Sequence, residues 1–452
     1  MQETRDQRLH LIEDSLRRLV RRGAKEHITN MLEKLHAAEV AHVFQHLELD
    51  EKRYVFDQIR EPRRAADVLA ELDGEVCREL MEEHETGRLV QILQEMSADD
   101  LTDVIASLPQ ERADEILRLM HDKSSEPVED LLKYPKDTAG GIMTPEFLAL
   151  NEDLSVEQAI HEVRRASEAE QVFYIYVVDE RNHLVGVVSL RDLVTAAPQR
   201  VLRDVMAKNV WKVQTTTDQE EVARVVSRYN LLAIPVVDEE NKLVGIITVD
   251  DVIDVISEET TEDILKMAGT REEESLTSST FRVARSRLPW LLVSWVGGVV
   301  ALQLINVYSL ALSKYVYLAA FIPIIMGMGG NVGVQSSTIV VRGIATGRLG
   351  SASIGRILLK ELKVGLSLGI TYGLMLGLVT RFQFREVAWL GLTVGVAICS
   401  AMVVAAVVAA LLPLIFQRLN IDPAVATGPF VTSFIDILGI LIYFNIAAFL
   451  II

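Results

Sequence analysis

The chain has 452 residues, of which half are hydrophobic and 24% are charged, a mixture that suits neither a soluble domain nor a wholly membrane-embedded protein. Residues 1–285 carry 35 Lys and Arg against 59 Asp and Glu, whereas residues 286–452 carry 10 against 4. An acidic part with a net charge of −24 repels nucleic acid, so DNA and RNA are excluded as partners. The two cysteines, Cys77 and Cys399, exclude a disulfide framework and a Cys-rich metal site.

Residues 1–135 are predicted to form an acidic, helical N domain. Leucine-rich segments such as AAEVAHVFQHLELDEKRYVFDQI and GRLVQILQEMSADDLTDVIASLP repeat loosely, and each has an apolar stripe interrupted by an acid-rich turn. This pattern predicts a superhelical stack of short helices. Ser97 is expected to cap a helix on which Asp99 and Asp103 share one face, and helix capping is the simplest role for the first acids.

Two similar segments follow, residues 136–205 and 206–257. YVVDERNHLVGVVSLRDLV in the first aligns with PVVDEENKLVGIITVDDVI in the second, and Met143 and Met206 open the two copies. Each copy is typical of a strand, a turn at Asp-Glu-x-Asn, a second strand, and a helix capped by Ser189 or Thr248. The pattern resembles a tandem pair of CBS domains, which implies two small α/β units.

Paired CBS domains often bind adenine nucleotides, and this resemblance implies an ATP site. The Asp after the second strand would contact the ribose, which corresponds to Asp192 in the first copy and Asp251 in the second. Arg191 and Tyr174 would contact the phosphates and the base. In the second copy Leu231 stands where an aromatic ring could stack on adenine. The alternative is a purely structural pair.

The stretch VDDVIDVISEETTEDILKM, residues 249–267, is predicted to be an acidic helix. Asp250, Asp254, Glu258 and Glu262 recur at every fourth position, and like charges at this spacing destabilise a helix. A solvated acidic face is one interpretation. The other is a lever, because residues 258–285 connect this helix to the membrane part and divalent cations could bridge it to the acidic domains.

Five stretches of residues 286–452 are long and apolar enough to cross a bilayer. They run over residues 289–312, 315–341, 364–380, 387–416 and from 423 to the C-terminus. Basic residues cluster between the second and third spans, at Arg342, Arg348, Arg356, Lys360 and Lys363. Basic residues favour the cytoplasmic side, so the N-terminus is expected in the cytoplasm and the C-terminus outside.

The second span contains PIIMGMGGNVGVQSST, residues 323–338, in which four glycines, a proline and several polar residues interrupt an apolar run. We expect a broken helix here, since such a segment leaves backbone groups that protein or water must meet. Close helix packing through small residues and the wall of a water-filled pore are both compatible with this pattern.

Asp436 lies within the fifth span, in PFVTSFIDILGILIYF. A carboxylate at membrane depth costs about 3 kcal/mol and usually marks an ion or proton pathway. Thr432 and Gly439 share its helical face. We expect no second acid within a span and no Lys or Arg there to pair with Asp436, so its partner would be a mobile cation. The alternatives are that Asp436 is protonated or that it forms a structural hydrogen bond with a neighbouring helix. Two such carboxylates in a symmetric dimer would suit a hydrated Mg²⁺.

Nearly the whole chain resembles the MgtE magnesium channel family. The motifs PIIMGMGGNVGVQSST and DPAVATGPFVTSFIDILG make this resemblance specific. The resemblance implies a homodimer with a Mg²⁺-selective pore on the two-fold axis and a cytosolic Mg²⁺ sensor that closes it. Asp436 would be the central pore acid and Asp422 would lie at the cytoplasmic mouth. Gly428 stands where family members can carry Asn.

The candidate residues for this function fall into two groups. The pore lining would include Gly329, Gly330, Asn331, Thr432 and Gly439. The sensor acids would be Asp99, Asp103, Asp218, Glu220, Asp251, Asp254, Glu258, Glu259, Glu262 and Asp263.

The predicted function is therefore magnesium uptake across the cell (inner) membrane, gated by cytosolic Mg²⁺. No nucleophile and base, phosphate loop or His-rich site is recognisable, so we do not expect an enzyme. A membrane-anchored nucleotide or metal sensor that transports nothing, and a proton-coupled exchanger of divalent cations, are the alternatives.

Overall fold

The computed structural model describes residues 2–120, 122–166, 173–270, 280–347, 349, 354–385, 387 and 389–450. It divides into two compact units, Met1–Val255 and Ile256–Ile452. The first contains a helical N domain and two small α/β copies, each with a three-stranded sheet, and the second contains long apolar helices. The predicted fold class is confirmed.

The N domain is a stack of short helices, as the leucine-rich repeats indicated. Most are 8–10 residues long, and their apolar stripes form one continuous core. The helices are α1 (Gln2–Arg21), α2 (Lys25–Leu32), α3 (Ala37–Gln45), α4 (Leu49–Phe56), α5 (Pro62–Ala70), α6 (Gly74–Glu83), α7 (Thr86–Leu93), α8 (Ala98–Ser107), α9 (Gln110–Leu119) and α10 (Asp122–Leu131).

Three arginines spaced 24 residues apart, Arg64, Arg88 and Arg112, tie successive layers of this stack together. Each guanidinium donates to carbonyl oxygens at or just beyond the end of an earlier helix, 28–32 residues back. The last carbonyls of a helix have no partner within it. The N domain is therefore built from a regular repeat, although its leucine-rich segments repeat only loosely in sequence.

The two α/β copies have the same sheet topology. In each, the first two strands are parallel and the second and third are antiparallel. Tyr174 pairs with Ser189, and Ala233 pairs with Thr248 at the matching position of the other copy. The elements are β1 (Ala149–Asn151), α11 (Val156–Arg165), β2 (Tyr174–Val178), β3 (Leu184–Ser189), α12 (Leu190–Thr195), α13 (Leu202–Val205), β4 (Val213–Gln214), α14 (Gln219–Tyr229), β5 (Ala233–Val237) and β6 (Leu243–Thr248).

The methionine that opens each copy packs on the sheet of the other copy. A Cβ at Gly245 would lie 2.6 Å from Met143 Sδ, and one at Gly186 would lie 2.3 Å from Met206 Sδ. Backbone bridges accompany both contacts, from Thr144 to β6 and from Ala207 to β3. The copies are thus interlocked, which their alignment alone did not reveal.

Helix α15 (Val249–Ala268) leaves the second copy and runs into the second unit, as predicted for the acidic stretch. Five spans follow by length and composition: Val283–Val307, Val316–Ala345, Ile354–Gln383, Leu390–Arg418 and Pro423–Leu450. Their helices are α16 (Thr280–Val307), α17 (Ser309–Lys314), α18 (Ile322–Ala345), α19 (Ile354–Gln383), α20 (Leu390–Arg418) and α21 (Gly428–Leu450), with 3₁₀ turns at Val316–Phe321 and Pro423–Ala426.

The five predicted spans are confirmed, but the helices extend beyond the apolar runs. Helix α16 begins at Thr280, nine residues before Pro289, and α19 begins at Ile354 rather than near Val364. Basic residues occupy these extensions, and long cationic side chains can remain at the interface while their helix continues. Hydropathy alone therefore located the spans but not their ends.

The prediction that the second span is broken was wrong, since α18 is one continuous helix. Its glycines instead allow α21 to approach closely. A Cβ at Gly333 would lie 2.1 Å from Ile435 Cδ1, and one at Gly329 would lie 3.3 Å from Ile435 Cγ2. Small residues let membrane helices pack at short distance without breaking either helix.

The expectation that no second acid lies within a span was also wrong. Glu361 lies within the third span and is only 4% exposed. It stands in RILLKELKVG, a stretch that its basic residues had assigned to the cytoplasmic loop. The longer helix α19 places it among the buried residues of the membrane part.

Candidate functional site

Asp436 lies near the middle of α21 and is half-buried in the isolated chain. One of its carboxylate oxygens, Oδ1, would be 3.8 Å from a Cβ at Gly330 on α18. Within the described part of the chain, no hydrogen bond or ion pair satisfies this carboxylate. Because an uncompensated charge at membrane depth is costly, Asp436 is suited to a cation supplied from outside the fold.

The glycines predicted to line the pore lie between helices. Gly329 and Gly330 are buried against α21, and Gly439 lies against Ile325 of α18. Thr432 donates its hydroxyl to the carbonyl oxygens of Gly428 and Pro429, at 3.0 and 3.1 Å. Asn331 is exposed beside Gly330. Of these residues Gly330 lies beside both Thr432 and Asp436, and the role of the five as a pore lining stays a prediction.

Asp422, just before the fifth span, is paired with the end of α15. Its Oδ2 atom lies 2.7 Å from Nζ of Lys266, which also lies 2.6 Å from Oε1 of Glu262. The other oxygen of Asp422 accepts from the backbone N–H of Ala424 at 2.8 Å and so starts the 3₁₀ turn. Burial lowers the pKa of Lys266, but the hydrogen bonds to Asp422 and Glu262 outweigh it and raise that pKa.

The last turn of α15 also touches the start of α21. Gly428 has a φ of +52°, and a Cβ there would lie 2.3 Å from the carbonyl oxygen of Met267. A Cβ at Gly269, which ends α15, would lie 2.9 Å from Pro429. Gly428 thus fits both the left-handed backbone and the close approach, and a larger residue would displace the end of α15.

A second group of carboxylates lies where α8 of the N domain meets the start of α15, all within the first unit. Burial raises the pKa of Asp251 to about 7, against hydrogen bonds from Thr248 that lower it, and the charges of Asp99 and Asp250 raise it further. Burial also raises the pKa of Asp103, with Lys136 lowering it and Asp99 raising it. Asp99, Asp103 and Asp251 are therefore brought together.

Asp100 belongs to the same group, although no role was predicted for it. Burial raises its pKa to about 6, and the charges of Asp99, Asp103 and Glu71 add to the effect while a hydrogen bond from Ser97 opposes it. Ser97 does begin α8, but its hydroxyl donates to Asp100 at 2.8 Å instead of accepting from a helix N–H. The signal in the sequence was the doublet Asp99-Asp100 after a capping serine.

These carboxylates do not form a preformed chelate. No three His, Cys, Asp or Glu side chains of the described ranges converge closely enough to hold a metal ion. One oxygen of Asp99 is buried without a hydrogen-bond partner in the part of the chain that the structure covers. The group concentrates negative charge, which favours a cation that keeps some of its water.

The remaining acids of α15 are spread along it. Burial and the charge of Asp250 raise the pKa of Asp254, which lies in the first unit. Glu258, Glu259 and Asp263 follow in the second unit, where Glu262 pairs with Lys266. The stripe predicted from the sequence therefore exists on one continuous helix of 20 residues.

Asp218 and Glu220 are already engaged by their own helix. Asp218 caps α14 by accepting from the N–H of Glu220 at 2.9 Å, and Glu220 pairs with Arg224 at 3.0 Å. A capping acid can still bind a cation through its second oxygen. Their role in sensing stays a prediction.

The candidate nucleotide residues lie at the end of β3 and the start of α12. Asp192 is exposed, and it accepts a hydrogen bond from the Ser189 hydroxyl at 2.6 Å. Arg191 is exposed, and Tyr174 is half-buried on the neighbouring strand β2, opposite Ser189. Asp251, the counterpart of Asp192, accepts a hydrogen bond from the Thr248 hydroxyl in the same way, but it is buried near Asp99, so the two copies differ in the surroundings of this position.

Three family models match the chain in this order: the MgtE intracellular N domain over residues 35–137, CBS domains over 139–198 and 202–258, and the MgtE divalent cation transporter over 322–446. The chain is also 37% identical to the magnesium transporter MgtE of Thermus thermophilus over 442 residues, which cover 96% of this chain and 98% of that protein. This chain belongs to the MgtE family of divalent cation transporters.

Other comparisons agree with this family. The magnesium transporter MgtE of Bacillus subtilis is 32% identical over 95% of each chain. The crystal structure of the cytosolic domain of the Mg²⁺ channel MgtE in complex with ATP is 38% identical, with a TM-score of 0.52, and covers 54% of this chain and 99% of that one. The soluble part of a magnesium transporter is 30% identical, with a TM-score of 0.51, over 56% and 99%. The chain is thus a multi-pass membrane protein with a cytosolic-domain fold of the MgtE type.

Proposed function

We propose that this protein is a Mg²⁺-selective channel of the cell (inner) membrane that takes up magnesium and is not an enzyme. The observation that carries the proposal is Asp436, a carboxylate within the fifth span for which the described residues supply no partner. Relatives named magnesium transporters over nearly the whole chain support Mg²⁺ as its ion.

The pore is proposed to lie on the axis of a homodimer. One carboxylate is a poor site for a divalent ion, but two related by a two-fold axis balance its charge. Mg²⁺ loses its water reluctantly, so two carboxylates that contact a hydrated ion suit it better than a closed cage of ligands. The glycines of α18 bring that helix close to Asp436 and leave room beside it.

Cytosolic Mg²⁺ is proposed to close the pore. Asp99, Asp100, Asp103 and Asp251 repel one another in the first unit, and a bound divalent cation would relieve that repulsion. Helix α15 starts at this group and ends against Asp422 and Gly428. Mg²⁺ bound near the start of α15 would therefore favour a position in which the end of α15 obstructs the cytoplasmic mouth of the pore.

The orientation follows from charge. Arg342 ends α18 and Arg356, Lys360 and Lys363 begin α19, so the connection between them is proposed to face the cytoplasm. An odd number of spans then places the C-terminus outside. A thiol-reactive reagent that cannot cross the membrane would label a cysteine introduced near residue 450 from the outside in intact cells.

The CBS pair is proposed to bind ATP through Asp192, Arg191 and Tyr174. The relative solved with ATP, which the cytosolic part of this chain matches at 38% identity, supports this assignment. The exposed carboxylate of Asp192 remains available to a ribose. ATP is then a ligand of the cytosolic domain and not a substrate.

Flux in liposomes tests the proposal. Purified protein should conduct Mg²⁺ down its gradient, and added Mg²⁺ on the cytosolic side should reduce the flux. A protein that binds Mg²⁺ or nucleotide but conducts nothing would be a sensor. Flux that requires a proton gradient and acidifies or alkalinises the lumen would identify an exchanger.

A further inference from the structure

Glu361 is a buried carboxylate that the proposed ion pathway does not use. It lies on α19 and is 4% exposed, and its Oε2 atom accepts a hydrogen bond from the hydroxyl of Ser336 on α18 at 2.7 Å. Ser336 is itself 3% exposed. Among the residues that the structure describes, no Lys, Arg or His lies within ion-pairing distance of Glu361. Lys360 and Lys363, its neighbours in sequence, are exposed.

The surroundings of this pair are apolar on both sides. One turn before Ser336, Val332 packs with Ile398 and Met402 of α20. One turn after it, Val340 packs with Ala410 and Leu414 of the same helix. The carboxylate thus lies between two apolar clusters where α18, α19 and α20 meet.

A carboxylate is an expensive way to hold helices together in such a place. Burying a charge with a single hydroxyl donor is unfavourable, and hydrophobic residues of similar volume often serve as well or better for stability. Ionisable groups inside membrane domains are mostly functional. The contact therefore needs an explanation beyond packing.

The helix that Glu361 contacts is the one that packs on the Asp436 helix. Ser336 lies three residues after Gly333, whose Cβ would overlap Ile435, and six after Gly330, which faces Asp436. The glycines seat α18 against α21. One to two turns further along the same helix, Ser336 ties α18 to α19. A directional hydrogen bond fixes the rotation and height of a helix more narrowly than apolar contacts do.

We propose that Glu361 is a positioning residue for cation selection: through Ser336 it fixes α18 against α21 and so sets the opening beside Asp436. This inference rests on the proposed transport function. A change in that opening should most affect the flux of ions whose hydrated size differs from that of Mg²⁺. Glu361 itself does not touch the ion.

The test compares Glu361→Leu, Glu361→Gln and Ser336→Ala in the full-length protein in liposomes, with Mg²⁺ and Ca²⁺ flux measured separately. Glu361→Leu and Ser336→Ala should each lower the Mg²⁺-to-Ca²⁺ flux ratio about fivefold, which corresponds to roughly 1 kcal/mol in the difference between two barriers. Glu361→Gln should keep most of the ratio, because its amide oxygen still accepts from Ser336. The double variant Glu361→Leu with Ser336→Ala should lower the Mg²⁺-to-Ca²⁺ flux ratio no further than either single variant does.

Ser337→Ala is the matched control. Ser337 is as buried as Ser336, but its hydroxyl donates to Val334 of its own helix at 3.1 Å, so its loss should leave the ratio unchanged. A ratio unchanged in Glu361→Leu, or lowered equally in Ser337→Ala, would overturn the inference. So would a fall in all fluxes that follows a fall in the midpoint of thermal unfolding, since that result indicates a structural role alone.

A second measurement is independent of transport. In a Cys77→Ser, Cys399→Ser background, the thiol introduced by Asn331→Cys reports the exposure of α18 beside Asp436. Its labelling rate should change about threefold or more with Glu361→Leu and not with Ser337→Ala, because the accessibility of an exposed site changes when α18 shifts between conformations. If wild-type liposomes conduct nothing, the transport proposal fails; if this rate does not change, the positioning role fails.

Discussion

The ammonium nitrogen of Lys266 lies between two carboxylates, 2.7 Å from Asp422 and 2.6 Å from Glu262. Lys266 is in the last turns of α15 and Asp422 directly precedes the fifth span. The positive charge of Lys266 thus lies between these two acids. Lys266 therefore links the end of α15 to Asp422, the residue proposed to lie at the pore mouth.

Lys266→Met should weaken that link. Two carboxylates would then face each other, and their repulsion should release the end of α15 when cytosolic Mg²⁺ is absent. A partly exposed pair contributes about 1 kcal/mol or less, so the Mg²⁺-free current should rise up to about fivefold. High Mg²⁺ should still close the channel by bridging the two acids. Patch-clamp recording on reconstituted protein measures both quantities.

Lys242→Met is the control for this variant, since Lys242 forms an exposed pair with Glu240 in the CBS part. Its current should match that of the wild type. An unchanged Mg²⁺-free current in Lys266→Met would show that the pair does not hold the gate.

Gly428→Ala should uncouple α15 from the pore in another way. The new Cβ would lie 2.3 Å from the carbonyl oxygen of Met267, and the φ of +52° disfavours alanine. The end of α15 should therefore move away, and saturating Mg²⁺ should no longer suppress the current fully. Gly298→Ala, where a Cβ meets nothing within 4 Å, should behave as the wild type. Full closure of Gly428→Ala by Mg²⁺ would contradict the proposed contact.

The acid group of the first unit should make its stability depend on pH. The pKa of Asp251 is raised to about 7 and that of Asp100 to about 6, so the folded state binds protons more tightly than the unfolded state does. The stabilisation is fully present below pH 4 and is lost as the pH rises through 6 and 7. Without Mg²⁺, the protection factors of the α8 amides, which correct hydrogen exchange for its intrinsic pH dependence, should therefore be lower at pH 8 than at pH 5, and Mg²⁺ should raise them most at pH 8.

Asp251→Asn tests the assignment. The amide keeps the size of the side chain and removes its titration, so most of the pH dependence and part of the Mg²⁺ effect should disappear. Raising the pKa of Asp251 from its ordinary value to about 7 corresponds to about 4 kcal/mol of pH-dependent stability as an upper limit. An Asp251→Asn protein with the same pH dependence as the wild type would show that other groups are responsible.

The nucleotide proposal is tested by Asp192→Ala. Loss of a ribose contact should weaken ATP binding to the full-length protein about tenfold, the effect of removing one hydrogen bond to a charged group. Asp204→Ala, an equally exposed acid of the same copy, should not change it. Calorimetry with ATP measures both, and equal affinities would assign the site elsewhere or exclude it.

Patterns that repeat were readable from the sequence. The period of the leucine-rich segments, the alignment of the two copies and the five apolar runs led to the correct fold class, because each depends on local chemistry and spacing. The three arginines that tie the N domain together were missed, since their acceptors are backbone carbonyls, which every sequence contains.

What the sequence could not show were contacts between distant segments. Lys266 and Asp422 are far apart in the chain, and nothing near either residue indicates the other. Glu361 was assigned to a loop because its charged neighbours hid the start of α19. Helix α18 was expected to break because the sequence does not show that its glycines pack against another helix. In each case the missing information was which helix packs against which.

Asp436 is proposed to provide the site through which Mg²⁺ crosses the membrane. Mg²⁺ flux into liposomes should be compared for the wild type and Asp436→Asn at equal amounts of folded protein, with Ser433→Ala as the control on the same helix. Asp436→Asn should lose at least about 90% of the flux, because a neutral amide cannot balance a divalent charge at that depth. Flux equal to that of the wild type would contradict it.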